Sequence, residues 1–294
     1  MTAFVSSLTA MLGIVPYFIC ALALFFLGKF LFDLSTPHIA DSDELTKKDN
    51  PAFGALFVGY MLGLAFALAG VFSNLGPSLI DNLVDLGISG LSAIALMRAS
   101  MALGEKLMLH GLRLDEQITK ERNLGAGLAF AGLFVANGLA ISGVMQGQSE
   151  SYLRELLDIV VYWVAGQVFL LLSWLVYRLA ARFDVSKDLG ERKNPAAGMS
   201  VAGFFVAAGI VLEAALAGSS GDIPHELLIA LAVCLCGLVL LAATSALCDL
   251  VLLPKSKFSD EVSARENTAA GAVSALGFVA VAILFAALVR SQLG

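Results

Sequence analysis

Four short segments of the chain combine residue types that could start a helix or hold an ion. Each segment contains Asn-x-x-x-Gly, and the asparagines follow one another at intervals of 73, 71 and 73 residues. The four pairs are Asn50/Gly54, Asn123/Gly127, Asn194/Gly198 and Asn267/Gly271. Acidic residues precede each asparagine by six or seven positions; they are Asp43 and Glu44, then Glu116, then Asp188, then Asp260 and Glu261.

Asparagine is favoured at the N-cap of a helix because its side-chain oxygen accepts a hydrogen bond from a free amide of the first turn. Pro51 and Pro195 follow two of the asparagines, and proline suits the first helical position. The motif therefore predicts helix starts. The alternative is a binding role, because helix N-termini attract anions and converging acidic side chains could bind a cation or a basic segment of a partner.

A second glycine follows the asparagine by nine positions in three of the four units. These glycines are Gly59, Gly132 and Gly203, whereas the fourth unit has Leu276 there and Gly277 one position later. Small residues at such spacings let transmembrane helices approach one another closely. We therefore expect the helices that begin at the motif to pack backbone to backbone.

The residues that commonly carry catalysis occur in no recognisable arrangement. No Walker loop, nucleophile elbow or His-Glu-x-x-His segment is present. The remaining candidates for metal or redox chemistry are Cys20, Cys234, Cys236, Cys248, His38, His110 and His225. The cysteines lie within apolar runs, and the histidines have no partner at ligand spacing. The sequence predicts no enzyme, no cofactor and no metal site.

Several polar residues interrupt apolar segments, where polar groups are costly. They are Asp85, Arg98, Asp158, Gln167 and Glu213. Interfacial placement, snorkelling of Arg98 and a helix-to-helix hydrogen bond of Gln167 would account for them without a ligand. The functional alternative is an asymmetric intramembrane polar path formed by Arg98, Gln167 and Glu213.

The elements that must position these residues are membrane-spanning helices. The chain is 59% hydrophobic and only 14% charged, with a mean hydropathy of +0.86, and a span needs about 20 apolar residues. A net charge of −6 argues against general affinity for nucleic acid. The expected spans are residues 13–33, 52–72, 83–104, 124–145, 156–179, 196–216, 227–249 and 269–290.

The loops predict the orientation of these spans. Of the 18 lysine and arginine residues, all but Arg154 and Arg290 fall on the side of the motif. The positive-inside rule makes that side cytoplasmic. An even number of spans then places both termini on the outer side.

The repeat is nested. Units one and three share Asn-Pro-Ala at an offset of 144 residues, so the chain divides into two halves, residues 1–148 and 149–294. Each half contains two helical hairpins, and because a hairpin crosses the membrane twice, every unit enters in the same direction. The sequence thus predicts an all-α bundle of parallel repeats, in contrast to the inverted repeats of many transporters.

The strings ENTAAGAVSALG and ERNLGAGLAFAG resemble the YjfL-like family, also called domain-of-unknown-function 350. DNPAFGALFVGY and KNPAAGMSVAGF resemble it less closely because of the proline. The resemblance covers nearly the whole chain as two tandem copies. It implies the bacterial inner membrane and an association with envelope stress or membrane maintenance, and it assigns no catalytic residue.

Two functions remain open from the sequence. The first is a non-enzymatic scaffold in the lipid bilayer that docks a cytosolic or membrane partner on its charged loops. The candidate contacts are Glu44, Glu116, Asp188, Asp260 and Glu261. The second is a transporter or channel for a small ion or metabolite. The sequence does not indicate the oligomeric state.

Overall fold

The computed structural model describes residues 2–36, 39, 41–147, 151–217, 222–248 and 257–293. Side chains are described from residue 11 onwards within these ranges, except at residues 74 and 152. Two positions used in the sequence analysis lie outside these described ranges. They are His38, which was considered for metal chemistry, and residue 249, the predicted end of one span. The helices are α1 (Thr2–Ser35), α2 (Pro51–Val71), α3 (Leu79–Leu103), α4 (Leu124–Val144), α5 (Tyr152–Ala180), α6 (Val185–Gly190), α7 (Pro195–Leu216), α8 (Ile223–Leu247) and α9 (Thr268–Leu293).

Eight of these helices, all except the short α6, are long and apolar enough to cross a membrane. The described residues contain no strand. The predicted all-α bundle with eight spans is confirmed, and the chain is a multi-pass membrane protein. A short π-helical segment precedes the first, second and fourth motifs, at Asp43–Lys47, Asp115–Lys120 and Asp260–Ala264. The short helix α6 lies at the equivalent position before the third motif.

The helices form two layers. The inner layer is a row in the order α2, α4, α7, α9, in which each helix packs along its neighbour. The outer layer contains α1, α3, α5 and α8, and each of the last three covers the groove between two inner helices. Because all four asparagines begin inner helices, they lie at one end of the bundle. We call this end the motif end.

Burial follows from this arrangement. Helix α4, in the middle of the row, is the most buried span, and the described part of α1 is the least buried. Large apolar side chains such as Phe26, Leu179 and Val239 remain exposed on the outside of the bundle. In water such a surface would promote aggregation, whereas in a bilayer it contacts lipid. The exposed apolar surface therefore fits a lipid environment.

Candidate functional site

Each motif reverses the chain through the same backbone arrangement. The residue before the asparagine has a positive φ in all four units: 46° at Asp49, 49° at Arg122, 55° at Lys193 and 52° at Glu266. The backbone N–H of the asparagine then donates to the backbone carbonyl six residues earlier, as from Asn50 to Glu44 at 2.9 Å and from Asn123 to Gln117 at 2.8 Å. The residue with positive φ and the hydrogen bond to the carbonyl six residues earlier together end one helical turn. The next helix can then begin at the asparagine.

The asparagine side chain caps the helix that follows. Asn50 Oδ1 accepts from the amides of Ala52 and Phe53 at 3.1 and 3.3 Å. Asn123 accepts from Ala126, Asn194 from Ala196 and Ala197, and Asn267 from Ala269 and Ala270. These bonds satisfy amides that a helix start otherwise leaves free. All four asparagines are therefore N-caps.

The same side chains also join each unit to the next. Asn50 Nδ2 donates to the carbonyl of Ile118 at 2.8 Å, Asn123 Nδ2 to Leu189 at 2.6 Å, and Asn194 Nδ2 to Val262 at 2.8 Å. Each acceptor lies five residues before the asparagine of the following unit. The first three asparagines are at least 98% buried, whereas Asn267, in the fourth unit, is exposed. Sequence reasoning predicted the cap and missed this link between units.

The motif glycines are sites of close helix contact. A Cβ on Gly127, Gly198 or Gly271 would lie closer than 3.0 Å to the backbone of the preceding unit, two residues after that unit's asparagine. A Cβ on Gly59, Gly132 or Gly203 would approach the backbone of the following unit equally closely. A Cβ on Gly54, in the first unit, would have only the Leu45 side chain within 4 Å among the described residues. The internal glycines are thus required by packing within the row.

The position six residues before the asparagine contacts it directly. Glu44 Oε2 accepts from Asn50 Nδ2 at 2.7 Å, and Glu261 Oε2 accepts from Asn267 Nδ2 at 3.1 Å. Burial opposes ionisation of Glu44, but its hydrogen bonds with Asn50 and Lys48 outweigh burial and lower the pKa of this carboxyl below its usual value. In the second unit the contact is made by Gln117, at 2.6 Å, while Glu116 is exposed. Asp43 and Asp260 are not buried either.

The third unit departs from this pattern. Asp188 is 97% buried and binds Arg192 through Oδ1 at 2.9 Å. Its Oδ2 has no hydrogen-bond partner among the described residues, and Asn194 Nδ2 donates to Val262 without a bond to Asp188. Aspartate is one methylene shorter than the glutamate of units one and four, which leaves the contact unmade.

We expect Asp188→Glu to stabilise the protein, because the longer side chain can accept from Asn194 as Glu44 does from Asn50. One net hydrogen bond is worth about 1 kcal/mol, so thermal unfolding in mild detergent should shift upward by a few degrees. Asp260→Glu, at an exposed position, is the control and should leave the unfolding temperature unchanged. A lower unfolding temperature for Asp188→Glu would contradict this account of the third unit.

A polar cluster lies in the membrane interior where the two halves of the chain meet. Gln167 Nε2 donates to Asn137 Oδ1 at 2.8 Å and to Ser100 Oγ at 3.3 Å, and Trp163 Nε1 donates to Ser100 Oγ at 2.9 Å. Gln167 Oε1 is buried without a partner among the described residues. The sequence singled out Gln167, whereas Ser100 and Asn137 were missed because each is an ordinary residue within an apolar run.

The other two residues of the expected intramembrane path lie apart from this cluster. Arg98 points toward α1, with its guanidinium 5.9 Å from the centre of the Phe32 ring. Glu213 forms an ion pair with Arg290 and accepts from Gln146 at 3.0 Å, at the end opposite the motif. The structure therefore brings none of the three, Arg98, Gln167 and Glu213, together.

A charged cluster at the motif end of α1 escaped sequence reasoning. Lys29 forms ion pairs with Asp33 and with Asp41, the latter at 3.3 Å. Burial, and then the adjacent Asp33 carboxyl, raise the pKa of Asp41 to about 6. The second half has Ser173 and Tyr177 at the positions of Lys29 and Asp33. This cluster therefore belongs to the first half alone.

In the described part of the second half, two of the cavities lie between the long helices. One, of about 250 Å³, is at the motif end between α5, α7, α8 and α9, and Tyr177, Ser200 and Ser274 line it. The other, of about 170 Å³, is at the opposite end, with Tyr162, Glu226 and Arg290 in its wall. Along α7, fully buried aromatic side chains, including Phe204 and Phe205, lie between the two cavities. Among the described residues no group of histidine, cysteine, aspartate or glutamate could hold a metal ion.

These features define the class: a polytopic α-helical membrane protein whose inner helices are four copies of one asparagine-capped unit. The family described as Domain of Unknown Function (DUF350) matches residues 5–145 and 151–289. The chain belongs to this family and contains two tandem copies of its domain, so the resemblance noted from the sequence is confirmed. No curated protein and no solved structure matches the chain.

Proposed function

We propose that this protein is a non-enzymatic membrane scaffold of the bacterial inner membrane, which docks a partner protein on the charged surface of its motif end. The single observation that carries the proposal is the backbone-to-backbone packing of α2, α4, α7 and α9. At the motif glycines this packing leaves no room for a solute between neighbouring inner helices, and it makes the row a rigid support. The motif end, which holds most of the basic residues, faces the cytoplasm.

The charges at the motif end support a docking role. Ion pairs join neighbouring units: Lys193 to Glu121 at 3.0 Å, and Arg192 to Glu266 at 3.1 Å. Within single units, Lys47 pairs with Asp43 and Lys120 with Asp115, yet 73% of the Lys47 side chain and 70% of the Lys120 side chain are exposed. The pairs between units keep the surface in one geometry, and the exposed lysines are accessible to a partner of complementary charge.

The docking role is tested by charge reversal at the motif end. The double variant Glu116→Lys/Asp260→Lys changes two exposed side chains, and Asp81→Lys, an exposed residue at the opposite end of α3, is the matched control. After crosslinking in native membranes and purification, we expect wild type and control to retain the same partner protein at a constant ratio of partner to chain. The double variant should lose this partner. Failure to retain a partner, or equal retention by all three proteins, would contradict the scaffold.

Transport of a small ion or metabolite is the second candidate. The observations in its favour are the two cavities at opposite ends of the second half and the buried Gln167 Oε1, which has no hydrogen-bond partner in the described part of the chain. A path through the second half would be asymmetric, which agrees with the absence of matched polar residues in the first half.

The transport candidate is tested by solute flux into liposomes. If the protein transports, the purified chain should raise flux above empty vesicles, and Gln167→Ala and Glu213→Ala should lower it. Leu172→Ala, at a position of α5 that is 41% exposed, is the control. No flux above empty vesicles across common ions and metabolites would remove this candidate.

A further inference from the structure

The inner row stops at α2 on one side and at α9 on the other, and the residues at these two ends differ from those inside the row. Inside it, the glycine nine residues after one asparagine faces an alanine that follows the next asparagine by eight. The three pairs are Gly59/Ala131, Gly132/Ala202 and Gly203/Ala275. At the two ends, the corresponding residues are Leu276 on α9 and Val58 on α2. Leu276 is 67% exposed and Val58 is 56% exposed.

The remaining features of the two ends match each other. Inside the row, Arg192 binds Asp188 of its own unit and Glu266 of the next. At the α9 end, Arg265 binds Glu261 of its own unit and is 71% exposed. The position that would face it in a following unit is Asp49, which is exposed at the α2 end. The ends are therefore complementary in charge.

The hydrogen-bonding groups of the ends match as well. Asn267 is exposed, and the only side-chain acceptor described for its Nδ2 is Glu261. The equivalent of Ile118, Leu189 and Val262, which accept from the other three asparagines, is Leu45 at the α2 end. Gly54 lies beside it, and a Cβ added there would be 3.9 Å from the Leu45 side chain, which is an ordinary van der Waals contact. A second copy of this chain thus carries, on its α2 end, the surface to which the α9 end would bind.

We infer that Leu276 and Val58 terminate the row, so that the α9 end of one copy cannot dock on the α2 end of another. At the internal positions even a Cβ would lie closer than 3.0 Å to the neighbouring backbone, and a leucine side chain against valine cannot be accommodated there. Without the two side chains the contact would be head-to-tail. Such contacts do not close on themselves in a straight row, and they generate open filaments.

The inference is tested with the full chain carrying Val58→Ala and Leu276→Gly. Reconstituted in phosphatidylethanolamine and phosphatidylglycerol vesicles, this variant should form oligomers whose mean copy number, counted by single-molecule photobleaching, rises several-fold with protein density. The control is Val58→Ala with Leu284→Gly, since Leu284 is also on α9 and equally exposed at 67%. Wild type and control should share one distribution of copy numbers, and this distribution should not change with protein density.

A cysteine pair reports the register of the contact. With Asp49→Cys and Arg265→Cys added, a short thiol crosslinker should give a ladder of covalent oligomers only in the Val58→Ala/Leu276→Gly background. Equal copy numbers for variant and control, or a ladder in the otherwise wild-type protein, would overturn the inference. Because Leu276 is largely exposed, unfolding of the variant but not of its control would overturn it too.

Discussion

Replacing Gly132 with leucine is expected to prevent formation of the inner row. The Cβ alone would lie closer than 3.0 Å to the backbone of Ala202, so α4 and α7 must separate along their length. Overpacking a core against side chains costs roughly 1–3 kcal/mol. Here the obstacle is backbone, and we expect a loss of about 3 kcal/mol or more. Thermal unfolding in mild detergent, followed by circular dichroism, measures this loss.

The control for this substitution is Gly87→Leu, because Gly87 lies on α3 with nothing within 4 Å of its added Cβ. Both variants carry the same side chain in a membrane helix, and only Gly132 lies between two inner helices. We expect Gly87→Leu to unfold within a few degrees of wild type. Similar unfolding temperatures for the two variants would show that close contact between α4 and α7 is not needed.

Replacing Asn50 with alanine is expected to cost considerably more stability than replacing Asn267. Both asparagines cap two amides, and both donate through Nδ2 to the glutamate six residues earlier. The lost cap, worth about 1 kcal/mol, is therefore common to the two substitutions. Only Asn50 also donates to the Ile118 carbonyl, within a buried contact. Leaving buried acceptors unsatisfied adds roughly 1–3 kcal/mol.

The measurement is a pairwise comparison of unfolding free energies in a detergent titration. We expect the free energy of unfolding to fall by about 3 kcal/mol for Asn50→Ala and by about 1 kcal/mol for Asn267→Ala. The difference between the two reports the link between units, since the caps cancel. Equal losses would mean that the asparagine acts only within its own unit.

Some parts of the site followed directly from residue types. The N-caps were predictable because capping depends on an asparagine and the amides two or three residues later, and Pro51 and Pro195 strengthened the pattern. The role of Gln117 was not predictable. The sequence drew attention to the acidic Glu116, one position earlier, as a contact for a cation or a partner. Only the geometry of the turn selects the sixth residue before the asparagine as its hydrogen-bond partner.

Leu276 illustrates a different limit. The sequence marks it as a departure from the glycine of the other units, but it carries no reason for the departure. In the structure Leu276 is 67% exposed, because among the described residues no inner helix packs against that face of α9. Ser100, Asn137 and Trp163 were likewise invisible as a group, since they come from three helices and meet only where α3, α4 and α5 pack.

The sequence by itself determined that the chain forms eight apolar helices with repeated starts, because hydrophobic length and capping are local properties. Only the tertiary structure decided that the four units line up in order in one row, so that three asparagines are buried and the fourth is exposed. The contacts responsible join residues about 70 positions apart, and their existence depends on how whole helices pack.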